Sequence, residues 1–273
     1  MASVDFVQNW QTYAVEVEGK PTAISVNMGL KIQAPVPELP YLLTVWIKLP
    51  RPDADGWPRE RELSMLARIE ESLESQVDGR LNGIFAGHQT RAGIRECYYY
   101  CAHTEGHAMI VSQAMMAFEG YAFGTVSRPD PAWQQYLEHL CPSPRIELSI
   151  RNRNTVDSLT FFGDPLEPAR KIDHFLYFSS SEGRTEFTTA ATALGFSVLR
   201  SSTYAQGEKM PFSLLIARDD SAMIEHIDAV AHTLYDLALA NGGEYDGWES
   251  AMVEADAGVA GLAGNLLNKL SGN

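Results

Sequence analysis

Apolar spacing along this chain switches between period two and period three-to-four in one order, and it does so twice. That repeated order narrows the possible folds more than any other feature. Alternation marks strands, and spacing of three or four marks an amphipathic helix. In the first half, residues 41–49 read as a strand. Leu63, Leu66, Ile69, Leu73 and Val77 follow as a helix stopped at Asp78-Gly79. Residues 81–87 and 96–102 read as a hairpin, 108–118 as a helix and 121–127 as a strand. In the second half, 172–179 is a strand and 184–194 a helix with Phe187, Ala190, Ala191 and Leu194 on one face. Then 197–204 and 211–218 form a hairpin, 221–240 is a helix with Ile224, Ile227, Val230, Leu234 and Leu237 inward, and 244–252 closes as a strand. Each half is β-α-β-β-α-β, the split βαβ order of ferredoxin-like folds.

The expected fold is therefore α+β: two tandem ferredoxin-like α/β sandwiches, the first with an extra N-terminal β-hairpin over 12–17 and 22–28. The expected domains are 1–143, a connecting helix or linker at 144–163, a second domain at 164–253, and a glycine-interrupted tail at 254–273. The break is marked by Cys141-Pro-Ser-Pro144, where two prolines prevent a helix from running across. Ile146, Leu148 and Ile150 leave a strand as the alternative to a helix there. A length of 273 residues fits two units, since single domains run to roughly 100 to 150 residues.

Charge restricts the partners. There are 11 basic against 17 acidic residues before Pro144, and 10 against 18 from it onward, within a net charge of −14. Both halves repel nucleic acid, and a basic protein segment is the easier partner. No stretch approaches the roughly 18 apolar residues of a spanning helix, and the start lacks a basic-then-apolar leader. Three cysteines are too few and odd in number for a disulfide framework. The expectation is a cytoplasmic protein with free thiols, binding neither membrane nor cofactor. Its oligomeric state is left open.

Three motifs carry a resemblance: Arg170-Lys-Ile-Asp-His-Phe-Leu-Tyr-Phe178, then Gly195-Phe-Ser-Val198, then Gly243-Glu-Tyr-Asp-Gly-Trp-Glu249. In order and spacing they resemble the family named regulator of ribonuclease E activity B, over roughly the last 100 residues. The resemblance implies a ferredoxin-like domain that is not an enzyme. It also implies a ribonuclease as partner, bound in or near its arginine-rich, poorly structured region so that RNA cleavage is inhibited. Phe85-Ala-Gly-His-Gln-Thr-Arg and Glu96-Cys-Tyr-Tyr-Tyr100 resemble a bacterial domain of unknown function found fused to such modules, which brings no activity with it.

The candidate partner-binding residues are Asp173, His174, Tyr245, Asp246, Gly247, Trp248 and Glu249. An exposed Trp248 beside Asp246 would suit an arginine-bearing segment. The plainer reading has Gly247 making a bulge and Trp248 filling the core, where aromatics of short closing strands usually pack. Adjacent Asp173 and His174 point to opposite faces of a strand, which removes a catalytic dyad. Cys97, Cys101, His103 and His107 have a metal-like look, but Cys97 and Cys101 on one strand lie about 13 Å apart at ~3.3 Å per residue. Buried thiols and loop histidines are the simpler account. Glu70, Glu71 and Glu74 beside Arg68 read as a solvated helix face. An enzyme would need His88, His103, Glu105 and His107 to converge in one pocket. A third reading makes the first domain a small-molecule sensor.

Overall fold

The computed structural model describes residues 6–204 and 209–253. The stretch 255–270, read from sequence as a weak helix or mobile tail, lies outside the described residues. The chain divides into two compact units, Met1–Ser143 and Pro144–Asn273.

The first unit opens with the expected hairpin, β1 (Trp10–Val17) and β2 (Lys20–Asn27). The split βαβ follows as β3 (Tyr41–Lys48), α1 (Glu60–Leu81), β4 (Gly83–Arg91), β5 (Ile94–Cys101), α2 (His107–Met115) and β6 (Ala122–Pro129). The strands form one antiparallel sheet in the order β1-β2-β4-β5-β3-β6, so the ferredoxin-like four keep their arrangement and the hairpin extends the β4 edge. Leu66, Ile69, Leu73, Val77 and Leu81 form the buried stripe of α1 against Val45, Ile47, Phe85 and Tyr99. The expected stop at Asp78-Gly79 is corrected. The helix passes through Gly79 to Leu81 and ends where Asn82 turns left-handed (φ 48°). One more fully buried leucine outweighs the roughly 1 kcal/mol that a glycine costs inside a helix.

The second sheet face is covered by the segment after β6. Trp133 stacks on Tyr100 at 4.0 Å and donates its indole N–H to the Leu39 carbonyl. Tyr136 donates to the Asn27 carbonyl, and Tyr13 to that of Leu140, each at 2.7 Å. The Trp133 indole and the Tyr13 and Tyr136 phenols thus find backbone partners for their buried polar groups.

The second unit runs α3 (Pro144–Phe161), β7 (Arg170–Phe178), α4 (Ser181–Ala193), β8 (Ser197–Thr203), β9 (Phe212–Asp220), α5 (Ile224–Ala240) and β10 (Gly243–Ser250). Its sheet order, β10-β7-β9-β8, is antiparallel throughout and is the ferredoxin-like order. The fold is α+β in both units. The segment set apart as a connector is helical and packs within the second unit. Leu148 joins the core of Leu176, Phe178, Phe187 and Leu234, while Val156 and Leu159 pack with Ile172 and Ile227. Burial of Leu148, Asn152, Val156 and Leu159 at spacings of three and four decides helix over strand. Two helix-face residues are also corrected: Leu63, expected on the α1 stripe, is 49% exposed, and Leu194, expected inward, follows the last turn of α4 and is 46% exposed.

Candidate functional site

The motif residues meet where β10 pairs with β7. Trp248 lies opposite His174 and Glu249 opposite Asp173, while Tyr245 lies opposite Leu176. Between Tyr245 and Gly247 the register shifts by one residue, a β-bulge centred on Asp246 and Gly247. Gly247 has φ of +135°, a conformation side chains rarely adopt. Strict alternation would send Tyr245 and Trp248 to opposite faces. The extra residue returns Trp248 to the side of Tyr245, where it packs against the cluster of Val156, Ile172 and Ile227. Glu244, Asp246 and Glu249 are left exposed along an edge strand whose ladder partner is β7.

Helix α3 completes the site. The Trp248 indole N–H donates to Asn152 Oδ1 at 3.0 Å, and Asn152 Nδ2 donates to Asp228 Oδ1 at 2.8 Å. Asn152 is 1% exposed, so both halves of its amide are used inside the protein. Arg151 donates to the Asp246 carbonyl at 3.1 Å, fastening the bulge. Leu148, Arg151, Asn152, Phe175 and Trp248 surround a shallow cleft of about 190 Å³.

His174 is fully buried. Its Nδ1 lies 2.8 Å from the Tyr245 hydroxyl, and Nε2 has no hydrogen-bond partner among the described residues. Burial pushes its pKa down to about 4, with Arg218 adding to the shift and Asp220 opposing it. A folded pKa below the ordinary 6.5 means that the unfolded chain binds the proton first. This contribution is therefore intact above about pH 6.5 and is lost progressively as pH falls toward 4. The full loss is about 3 kcal/mol. Urea midpoints of the second unit should fall between pH 7 and 5, and less so in His174→Gln. An unchanged midpoint in the wild type would contradict the buried neutral imidazole.

The other sequence candidates disperse. Cys97 and Cys101 are buried in the core of the first unit, and none of the three cysteines is in a disulfide. His103 and Glu105 are exposed, while His107 Nδ1 lies 3.3 Å from Thr125 Oγ1. His88 lies elsewhere, 3.2 Å from Glu70 Oε1 on α1. Burial drives its pKa down to about 3, with the Arg95 charge adding to it. Glu70 is thereby corrected: it faces inward, accepting from Arg95 at 2.8 Å, and does not share a solvated face with Glu71 and Glu74. The sequence reading missed Arg151, Asn152 and Asp228. A polar residue at a stripe position of α3 was the available signal, hidden because that segment was taken as a connector.

Over residues 149–250 the chain matches the family model described as Regulator of ribonuclease activity B. The second unit is therefore similar to a ribonuclease-regulator domain, and is called the regulator domain below. Residues 8–141 match the Family of unknown function (DUF695), so the two matches fall one in each unit. No curated protein matches the sequence. Among solved structures, an unknown protein from Galdieria sulphuraria is 9% identical, with 78% of this chain and 99% of that one covered at a TM-score of 0.24. A chain described as a candidate glycine cleavage system transcriptional repressor is also 9% identical, with coverages of 77% and 98% and the same TM-score. Likenesses at that score bear on neither fold nor function. At the level of the family, the regulator domain belongs with regulation of ribonuclease activity, and the paired residues of β7 and β10 lie inside the matched span.

Proposed function

We propose that the regulator domain restrains a ribonuclease by binding it, without catalysing a reaction, and that the β10 edge receives a basic segment of that partner. The observation carrying this reading is the row of exposed Glu244, Asp246 and Glu249 on an edge strand. Unpaired strand edges accept further chain, and three carboxylates favour a segment rich in arginine or lysine. The same charge disfavours direct contact with RNA. The cytoplasm suits a chain whose cysteines form no disulfide.

One polar trio could be taken for a hydrolase site, and its geometry supports the non-enzymatic reading. Ser149 Oγ lies 2.9 Å from His232 Nε2, but it donates to Asp228 Oδ2 at 3.0 Å. Asp228 also approaches Nε2, at 3.9 Å, the same nitrogen that meets the serine. In a working triad the carboxylate holds the other ring nitrogen. Ser149 also sits within α3, away from any strand-to-helix elbow.

The test uses a purified endoribonuclease carrying an arginine-rich unstructured segment and a fluorescent RNA. The full chain should slow cleavage at low salt and lose that effect as salt rises, since exposed charges are screened within ~10 Å at 0.1 M. Glu244→Lys, Asp246→Lys and Glu249→Lys combined should weaken inhibition at least about tenfold with an unchanged melting temperature. Unaltered inhibition by the triple variant rejects the β10 edge. Absence of inhibition by the wild type at low salt rejects the regulatory reading itself.

A further inference from the structure

One face of the regulator domain's sheet carries no helix. Directly opposed residues share a face of a sheet, and register puts Gly247, Phe175 and Leu215 in one row. The Glu244–Tyr177 pair lies on one side of that row and the Glu249–Asp173 pair on the other. Alternate residues Leu176, Phe178, Leu214 and Ile216 face the other way, into the core they share with α3, α4 and α5. Among the described residues, no element of the second unit packs over Phe175, Tyr177 and Leu215, which are partly exposed.

Elsewhere in this domain aromatic rings hold arginines: Phe196 carries the Arg218 guanidinium at 4.3 Å and Phe212 that of Arg184 at 5.2 Å. Among the described residues Phe175 and Tyr177 have no such partner. Gly247 has no side chain to cover the ring opposite it, so the cleft at the β10 edge reaches Phe175. Arg151, the cation at that cleft, is turned to the Asp246 carbonyl. Asp173 and Glu249 are like charges directly opposed, a placement that costs stability. Asp173 Oδ1 is shielded from water without a hydrogen bond, with Lys171 Nζ at 3.4 Å. Glu244 has the exposed Lys209 at 3.8 Å, and Glu249 meets no cation among the described residues. The Phe175 row ends at Arg200 on β8, so the acidic end of the face is the β10 end.

We propose that the partner's basic segment passes from the β10 edge onto this open face, where Phe175 and Tyr177 select arginine over lysine by stacking its guanidinium. The proposal rests on the β10 edge receiving a basic segment, and adds the face that segment crosses and the residue type it must carry. A guanidinium is planar and weakly hydrated, so it lies on a ring while its N–H fork reaches a neighbouring carboxylate. An ammonium is a compact, strongly hydrated charge that gains less there. Nucleic-acid bases also stack on aromatic faces, but carboxylates on both sides of the Phe175 row repel phosphate.

The probes are a short acetylated peptide of alternating arginine and serine and its lysine–serine match, each titrated calorimetrically into the full chain at low salt. The wild type should prefer the arginine peptide by at least about threefold. Phe175→Leu with Tyr177→Leu should bind both peptides and lose that preference, whereas Phe175→Tyr with Tyr177→Phe should keep it. Damage to the fold alone would weaken both peptides together, so the ratio is the deciding readout. A measurement that needs no variant is the proton spectrum of the arginine peptide, whose δ-methylene signals should move upfield on binding under the ring current. Unmoved signals, equal affinity for the two peptides, or an arginine preference that survives the leucine variant overturns the open face and leaves the β10 edge standing. Failure of the wild type to bind either peptide overturns both. Tighter binding of a single-stranded RNA oligomer, lost in the leucine variant, would assign the face to nucleic acid and overturn the proposal.

Discussion

Arg170→Met is expected to cost the regulator domain about 3–5 kcal/mol, a large share of the roughly 5–15 kcal/mol that holds a domain folded. Arg170 and Asp164 form an ion pair with side chains 6% and 0% exposed. The Asp164 carboxylate also accepts from the Leu166 and Val253 backbone N–H groups at 2.8 Å, and Arg170 Nε donates to the Pro168 carbonyl. Burial raises the Asp164 pKa, but hydrogen bonds from Arg170 and these amides more than offset it and hold the carboxyl below its usual range. Removing the cation leaves a buried charge with only dipoles for company. Replacing both partners, as Asp164→Leu with Arg170→Met, should recover most of the loss, since the desolvation cost then disappears with the charges. Urea unfolding of the three proteins decides the matter: a single variant within about 1 kcal/mol of wild type refutes the account. Arg170 opens one of the family motifs, so loss of activity on its replacement would act through folding.

Gly183→Ala should destabilise the same domain by about 3 kcal/mol, against the usual sign for a helix. Alanine is ordinarily the better helix residue by about 1 kcal/mol. Here a Cβ would meet the Asn241 carbonyl oxygen far inside the 3.0 Å that real Cβ atoms respect, and the obstacle is backbone. The first turn of α4, capped by Ser180 Oγ accepting from the Gly183 N–H, lies against the turn joining α5 to β10. Making room means moving the strand that carries the candidate site. Gly79→Ala in α1 is the matched control: its Cβ meets nothing within 4 Å, so stability should rise by about 0.5–1 kcal/mol. A thermal melt in which both substitutions shift the midpoint the same way would contradict this reading.

The determinants of this fold divide by range along the chain. Sequence alone determined the element order, the duplicated ferredoxin-like plan and the acidic character of both halves, because periodicity and charge are properties of neighbouring residues. Strand order came with them, since β-α-β-β-α-β has few ways to close without left-handed crossovers. The motif at residues 243–249 was legible as a bulge with an aromatic, yet which face Trp248 takes was not. That depends on one extra residue in β10 being accommodated opposite β7, and on Asn152 of α3 lying within hydrogen-bonding distance. The same limit hid the partner of the α1 residue Glu70, which is Arg95 on β5, and the membership of α3 in the second unit. These contacts join residues 25 to 96 positions apart. Local pattern fixes what each segment can become, whereas the face a side chain takes and the charge it meets are set by packing between segments, and only the tertiary structure decided them.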